Sequence, residues 1–132
     1  MEEKTIQGNK IDTKKLGFFA EGVARSYLIK KGYKILAANY KFNFGELDIV
    51  AQKEDIITFF EVKALNKFYE GFEPEMRVDY KKKNKLIGLA TAFLDNKKLK
   101  DSPWQIDIIS VVFDSENKKA NIKHFKNAVN NY

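Results

Sequence analysis

The stretch GELDIVAQKEDIITFFEVK, from Gly45 to Lys63, carries Glu46, Asp48, Glu61 and Lys63 among apolar residues. Ionised side chains rarely enter a sheet interior without a partner. Two carboxylates and an ammonium at one point suit a hard divalent cation, Mg²⁺ or Mn²⁺. Such a cation takes oxygen ligands and completes its shell with water and substrate phosphate. It polarises a phosphoryl oxygen and generates or orients a hydroxide. The ammonium can stabilise the charge that develops on the phosphate oxygens or position the attacking water. Phosphodiester hydrolysis needs these parts and no histidine or cysteine. The competing reading is a cross-strand ion pair between Lys63 and one acid, with the second acid solvated. Such pairs are common and contribute little. The pattern D-x(12)-E-x-K is short, and on spacing alone the ion pair is the favoured reading.

Strands must position these groups. ELDIVAQ and DIITFFEVK have β-forming composition, with KED as the turn between them. Side chains alternate across a strand. Glu46, Asp48 and Val50 are therefore expected on one face of the first strand, and Leu47, Ile49 and Ala51 on the other. In the second, Ile57, Phe59, Glu61 and Lys63 share a face opposite Thr58, Phe60 and Val62. An antiparallel hairpin about KED brings Asp48 close to Glu61.

Around this hairpin the chain alternates its periods. LGFFAEGVARSYLIKKG has helical spacing, with Leu16, Phe19, Ala20, Val23, Ala24, Tyr27 and Leu28 on one stripe and Gly32 as its cap. YKILAANYKF reads as a first strand. ALNKFYEGFEPEMR has no period and is long for a connection, as functional loops often are. Its Phe68, Tyr69 and Phe72 could stack on bases, form a subunit contact or fold into the core. Helical spacing returns through Val78, Lys82, Leu86, Leu89, Ala90 and Phe93. WQIDIISVVF and the short KANIKHFKNAV read as the last strands. Helices between strands imply an α/β fold with a mixed sheet flanked by helices. The first three strands pair as a meander, and the fourth is reached across the second helix. Residues 1–14 read as a flexible leader and 15–132 as a single domain.

Composition narrows the chemistry. The chain has 132 residues, 24 Lys and Arg against 18 Asp and Glu, and a net charge of +6. That balance favours an anionic partner such as nucleic acid. The absence of cysteine excludes disulfides, thiolate metal sites and a cysteine nucleophile, and it fits a reducing compartment. His124 is the one histidine and lies in a basic tail with no partner suggested by the sequence, so a Ser-His-Asp triad has little support. The opening MEEKTIQGNKIDTKK lacks the apolar core of a signal peptide. No apolar run approaches the roughly 18 residues of a membrane span. The expectation is a cytoplasmic protein with no membrane partner.

In the order of its segments the sequence resembles the PD-(D/E)xK nuclease superfamily, the restriction-endonuclease-like fold that includes archaeal Holliday-junction resolvases. It resembles more closely the bacterial YraN-like family of endonucleases. GFFAEGVARSYLIKKGYKILAANYKFNFGELDIV is similar to that family's G-x-x-x-E-x-x-A-x-x-[YF]-L helix, its N-Y/F-R segment and its G-E-[IL]-D-[LI] segment. FFEVK matches its F-V-E-V-K. Val78, Lys82, Leu86 and Ala90 match its second helix, QIDIISV its R-F-D-V strand, and IKHFKNAV its closing segment. No single motif decides this. Their order and spacing over nearly the whole chain after the leader carry it.

The resemblance implies an αβββαβ core and a Mg²⁺- or Mn²⁺-dependent endonuclease that hydrolyses phosphodiester bonds in DNA, branched or structured DNA included. It implies Asp48 and Glu61 as metal-binding carboxylates, the backbone carbonyl of Val62 as a further metal oxygen, and Lys63 as the active-site lysine. Glu21 matches an acid that completes the site. Glu46 matches the acid of G-E-x-D, which binds metal through water or pairs with a lysine. The sequence departs from the superfamily in having Leu47 where a proline precedes the aspartate. It also lacks the basic or polar residue that often follows E-V-K. A homodimer is compatible with this reading. The rival is a non-catalytic nucleic-acid-binding module that keeps the nuclease fold.

Lys81, Lys82, Lys83 and Lys85 open the second helix. They could form a solvated face or neutralise several phosphates and give salt-dependent binding. Lys82 lies on the apolar stripe, where a lysine can snorkel; it is expected to point at the acidic site and touch phosphate. Asp107 is expected to be a structural or supporting acid rather than a metal ligand, and Trp104 a packing residue.

Overall fold

Ala20, Ala24 and Leu28 are completely buried and form the inward stripe of helix α1, Thr13–Lys30. The computed structural model describes residues 13–66, 80–114 and 116–129. The leader up to residue 12, Val78 and the loop aromatics Phe68, Tyr69 and Phe72 lie outside the described residues. Helix α1 ends in a left-handed cap. Gly32 has φ 95°, its N–H donates to the Ile29 carbonyl, and Tyr33 N–H donates to that of Leu28. Phe19 departs from the expected stripe and is 59% exposed. Each helical residue turns about 100° from the last, and Phe19 lies past the edge of the strip that meets the sheet.

Strands β1 (Lys34–Phe42), β2 (Gly45–Lys53) and β3 (Ile56–Asn66) form the antiparallel meander. Helix α2 (Tyr80–Asn96) precedes β4 (Trp104–Asp114), which pairs parallel with β3, and β5 (Lys119–Phe125) closes antiparallel on β4. The sheet order is β1-β2-β3-β4-β5. This is the α/β arrangement expected, with a mixed sheet and a helix packed on each face, consistent with a restriction-endonuclease-like core.

Two cores result. Ile49, Ala51, Phe60, Ile109 and Val111 pack under α1, and Val50, Ile57, Phe59 and Ile106 pack under Leu86, Leu89 and Phe93 of α2. Phe59 meets Phe93 and Trp104 edge-on, each at 5.8 Å, so Trp104 is a packing residue. In β2 alternation fails at one point. Leu47 packs with Val50 on the α2 side rather than with Ile49 and Ala51. The β2–β3 pairing stops at Ile49↔Phe60, and Asn39, between the β1 residues that face Ile49 and Leu47, has φ 50°. The β1–β2 ribbon loses its neighbour there and turns. Among the described residues, no helix is long and apolar enough to cross a membrane.

Candidate functional site

The functional side chains gather where β2 and β3 separate. Asp48 and Glu61 follow directly on the last paired residues, Ile49 and Phe60. Val62 N–H donates to Asp48 Oδ2 at 2.9 Å, so the carboxylate takes a donor that the ladder no longer uses. A residue's N–H and C=O face the same neighbouring strand, which aims the Val62 carbonyl at this edge too.

The separation leaves a cleft of about 440 Å³ between the sheet and both helices. Glu21 enters it from α1, Glu46 and Asp48 from β2, Glu61 from β3, and Lys82 and Lys85 from α2, over an apolar floor of Leu86 and Leu89. Gly45 permits the close approach of α2. A Cβ there would meet Lys85 Cε at 3.0 Å and the Leu89 methyls at 3.3 Å, at φ 155°.

Glu61 is nearly buried, with 13% of its side chain exposed, and its Oε2 lies 2.7 Å from Lys82 Nζ and 3.8 Å from Lys63 Nζ. Lys82 thus points at the acids, as its place on the stripe suggested. Lys63 reaches Glu61 along the same strand. Lys63, Lys81 and Lys83 are not among the residues that line the cleft. Asp48 is not the solvated acid of a cross-strand ion pair. Burial pushes its carboxyl up to about 7, and Glu61 pushes the same way. The Val62 N–H opposes them, and Glu21 and Glu46 add smaller upward pushes.

Asn39 was not among the candidates read from the sequence. Its Nδ2 donates to Glu21 Oε1 at 2.6 Å and to Glu46 Oε2 at 3.1 Å, so one amide ties two acids from different elements. An available signal was an asparagine inside a strand-like run, since strands disfavour it and left-handed backbone tolerates it. His124 also has a partner. Its Nε2–H donates to Asp107 Oδ2 at 2.7 Å, and the Tyr27 hydroxyl lies 3.0 Å from Nδ1. Asp107 is completely buried and also accepts from Gln105 Nε2 and Asn127 N–H. This network ties β5 and the following turn to β4 and α1, outside the cleft.

Oxygen donors that converge at one partly buried point fit a hard cation. Among the described residues, no group of three or more acidic, histidine or cysteine side chains is placed to hold a metal ion, so a cation here would rest on fewer side-chain ligands. An open set of carboxylates fits Mg²⁺, which keeps several waters.

A family model described as "Uncharacterised protein family UPF0102" matches residues 20–111. A UPF0102 protein of Clostridioides difficile is 38% identical over 118 residues, 89% of this chain and 99% of the relative. One from Fervidobacterium nodosum is 40% identical over 129 residues, covering 95% and 90%. One from Dictyoglomus turgidum is 31% identical over 118 residues, covering 89% and 99%.

Proposed function

The chain belongs to the protein family UPF0102, the YraN family, and we propose that it is a divalent-metal-dependent nuclease that hydrolyses phosphodiester bonds in DNA. The observation that carries this reading is one cleft in which four carboxylates from three elements face two lysines, with Asp48 held near 7. A structural ion pair requires no such convergence of acids from three elements. A bound divalent cation would relieve the repulsion between Asp48 and Glu61.

Asp48, Glu61 and the Val62 carbonyl are the groups that would hold Mg²⁺ or Mn²⁺. Bound there, the ion supplies Lewis-acid polarisation of a phosphoryl oxygen. The chain's own groups do the rest. Lys63 directs its ammonium at the attacking water or at the charge growing on the phosphate. Lys82 and Lys85 meet the phosphate from the α2 side. Asn39 fixes Glu21 and Glu46, so that Glu21 completes the acid ring and Glu46 orients water at its outer edge. Pre-positioned charge of this kind is often the largest part of catalysis.

The test is cleavage of linear, branched and single-stranded DNA by the purified protein, with Mg²⁺ or Mn²⁺ and with chelator. Asp48→Ala and Glu61→Ala are expected to abolish metal-stimulated cleavage and to keep the circular dichroism spectrum. A wild-type protein that binds these DNAs and cleaves none with either metal would instead be a non-catalytic binding module.

A further inference from the structure

We propose that the outer face of α1 is a docking strip for single-stranded nucleic acid. As the substrate class of the cleft, this rests on the nuclease reading. Phe18 is 72% exposed and its neighbour Phe19 is 59% exposed. Scattered apolar residues on a surface are ordinary, but adjacent aromatic rings in a groove mark a binding surface. Phe18, Phe19 and Val23 line an open groove of about 700 Å³ together with Lys15, Gly22 and Arg25.

Three features identify the occupant. The charged residues of the groove, Lys15 and Arg25, are both cations, so the partner is anionic. Phe19 stacks on Phe113 at 5.3 Å and 27°, which holds its ring while more than half of the residue stays exposed. Gly22 lies mid-helix, where glycine is destabilising, yet a Cβ there would meet only Arg25 Nη2, at 3.9 Å. With no side chain, Gly22 adds no bulk to the groove it lines. Fixed aromatic faces beside cations suit unstacked bases and their phosphates. A duplex hides its base faces, and a second copy of this chain would bring the same cations opposite these.

The strip also leads to the cleft. Phe18 and Arg25 lie three residues before and four after Glu21, the spacing of neighbours on a helix surface. A strand stacked on α1 therefore passes beside the acids, so the substrate carries a single-stranded segment next to the bond that is cut.

The experiment measures binding of the full chain to a short oligo(dT) strand and to a blunt duplex of equal length, by fluorescence anisotropy in chelator. Wild type is expected to prefer oligo(dT). Phe18→Ala is expected to weaken oligo(dT) binding about tenfold, with Phe18→Tyr retaining it and duplex binding little changed. Arg25→Ala is expected to flatten the salt dependence. Equal affinity of the wild type for both DNAs, or unchanged oligo(dT) affinity in Phe18→Ala and in Phe18→Ala/Phe19→Ala, overturns the strip. So does a double variant that only dissociates a dimer in sedimentation. Binding in chelator does not depend on turnover. Strip binding without metal-dependent cleavage therefore removes the nuclease reading alone, and cleavage with inert strip variants removes the strip alone.

Discussion

A carboxyl held near 7 makes the metal-free protein sensitive to pH in a fixed direction. Asp48 is raised from 3.8 to about 7, first by burial and then by Glu61. Between these values the folded chain keeps a proton that the unfolded chain has lost. Stability of the metal-free protein therefore falls as pH rises through this window, with the full penalty above about 7. Asp48→Asn keeps an oxygen for the Val62 N–H and removes the charge. It is expected to raise the melting temperature in chelator at about pH 8, by an amount equivalent to at most about 4 kcal/mol, and to do little near pH 4. Mg²⁺ should restore the wild type at the higher pH and leave Asp48→Asn unmoved. Calorimetry that finds both proteins equally stable at both pH values would remove the buried-charge argument. Asn39 can be separated from its backbone in a similar way. Asn39→Gly accepts the φ of 50° and loses both hydrogen bonds. It should fold, yet cleave about tenfold more slowly, for charge-assisted bonds of this kind contribute about 1.5–3 kcal/mol. Full activity in Asn39→Gly would mean that Glu21 and Glu46 need no holding.

The elements differ in how far the sequence exposed them. β3 was legible because Phe59 and Phe60 belong to opposite cores, as strict alternation requires. The meeting of Asp48 and Glu61 was legible too, since a short turn fixes a hairpin's register. Leu47 was not, because the turn of β2 depends on the loss of β3 pairing and on Asn39, features of tertiary structure. His124 and Asp107 stand 17 residues apart on neighbouring strands, and no local pattern records a contact set by the β4–β5 register. Helix α2 ends on a feature that is open to test. Lys98 takes the left-handed position with φ 58°, where α1 uses Gly32. Leu99 N–H donates to the Leu94 carbonyl at 2.7 Å and Lys98 N–H to that of Asp95 at 3.1 Å. Left-handed backbone costs a side chain about 1–2 kcal/mol. Lys98→Gly is expected to stabilise the protein by about 1 kcal/mol in urea titration, after glycine's own entropy cost. Its site lies away from the cleft, so cleavage should not change.

Charge is divided unevenly over the protein. The net charge is +6, and the cations of α1 and α2 attract a polyanion from a distance. The cleft itself gathers Glu21, Glu46, Asp48 and Glu61 against Lys82 and Lys85. Without a metal, those acids would oppose the phosphate that the proposed reaction brings among them, and Asp48 is ionised above about pH 7. DNA affinity should then depend on the divalent ion in a way that the rest of the surface cannot produce. In chelator at about pH 8, Asp48→Asn is expected to bind DNA roughly three- to tenfold more tightly than the wild type, as expected for one nearby charge in a partly screened site. With Ca²⁺, a larger cation of the same charge, the wild type should gain affinity and overtake the variant, which has lost a ligand. The reversal is measured by anisotropy at fixed ionic strength, so that screening is equal in both arms. A wild type whose affinity ignores the divalent ion, with an Asp48→Asn that matches it throughout, would show that phosphate never enters the cleft. The basic helices would then bind nucleic acid without presenting it to the acids.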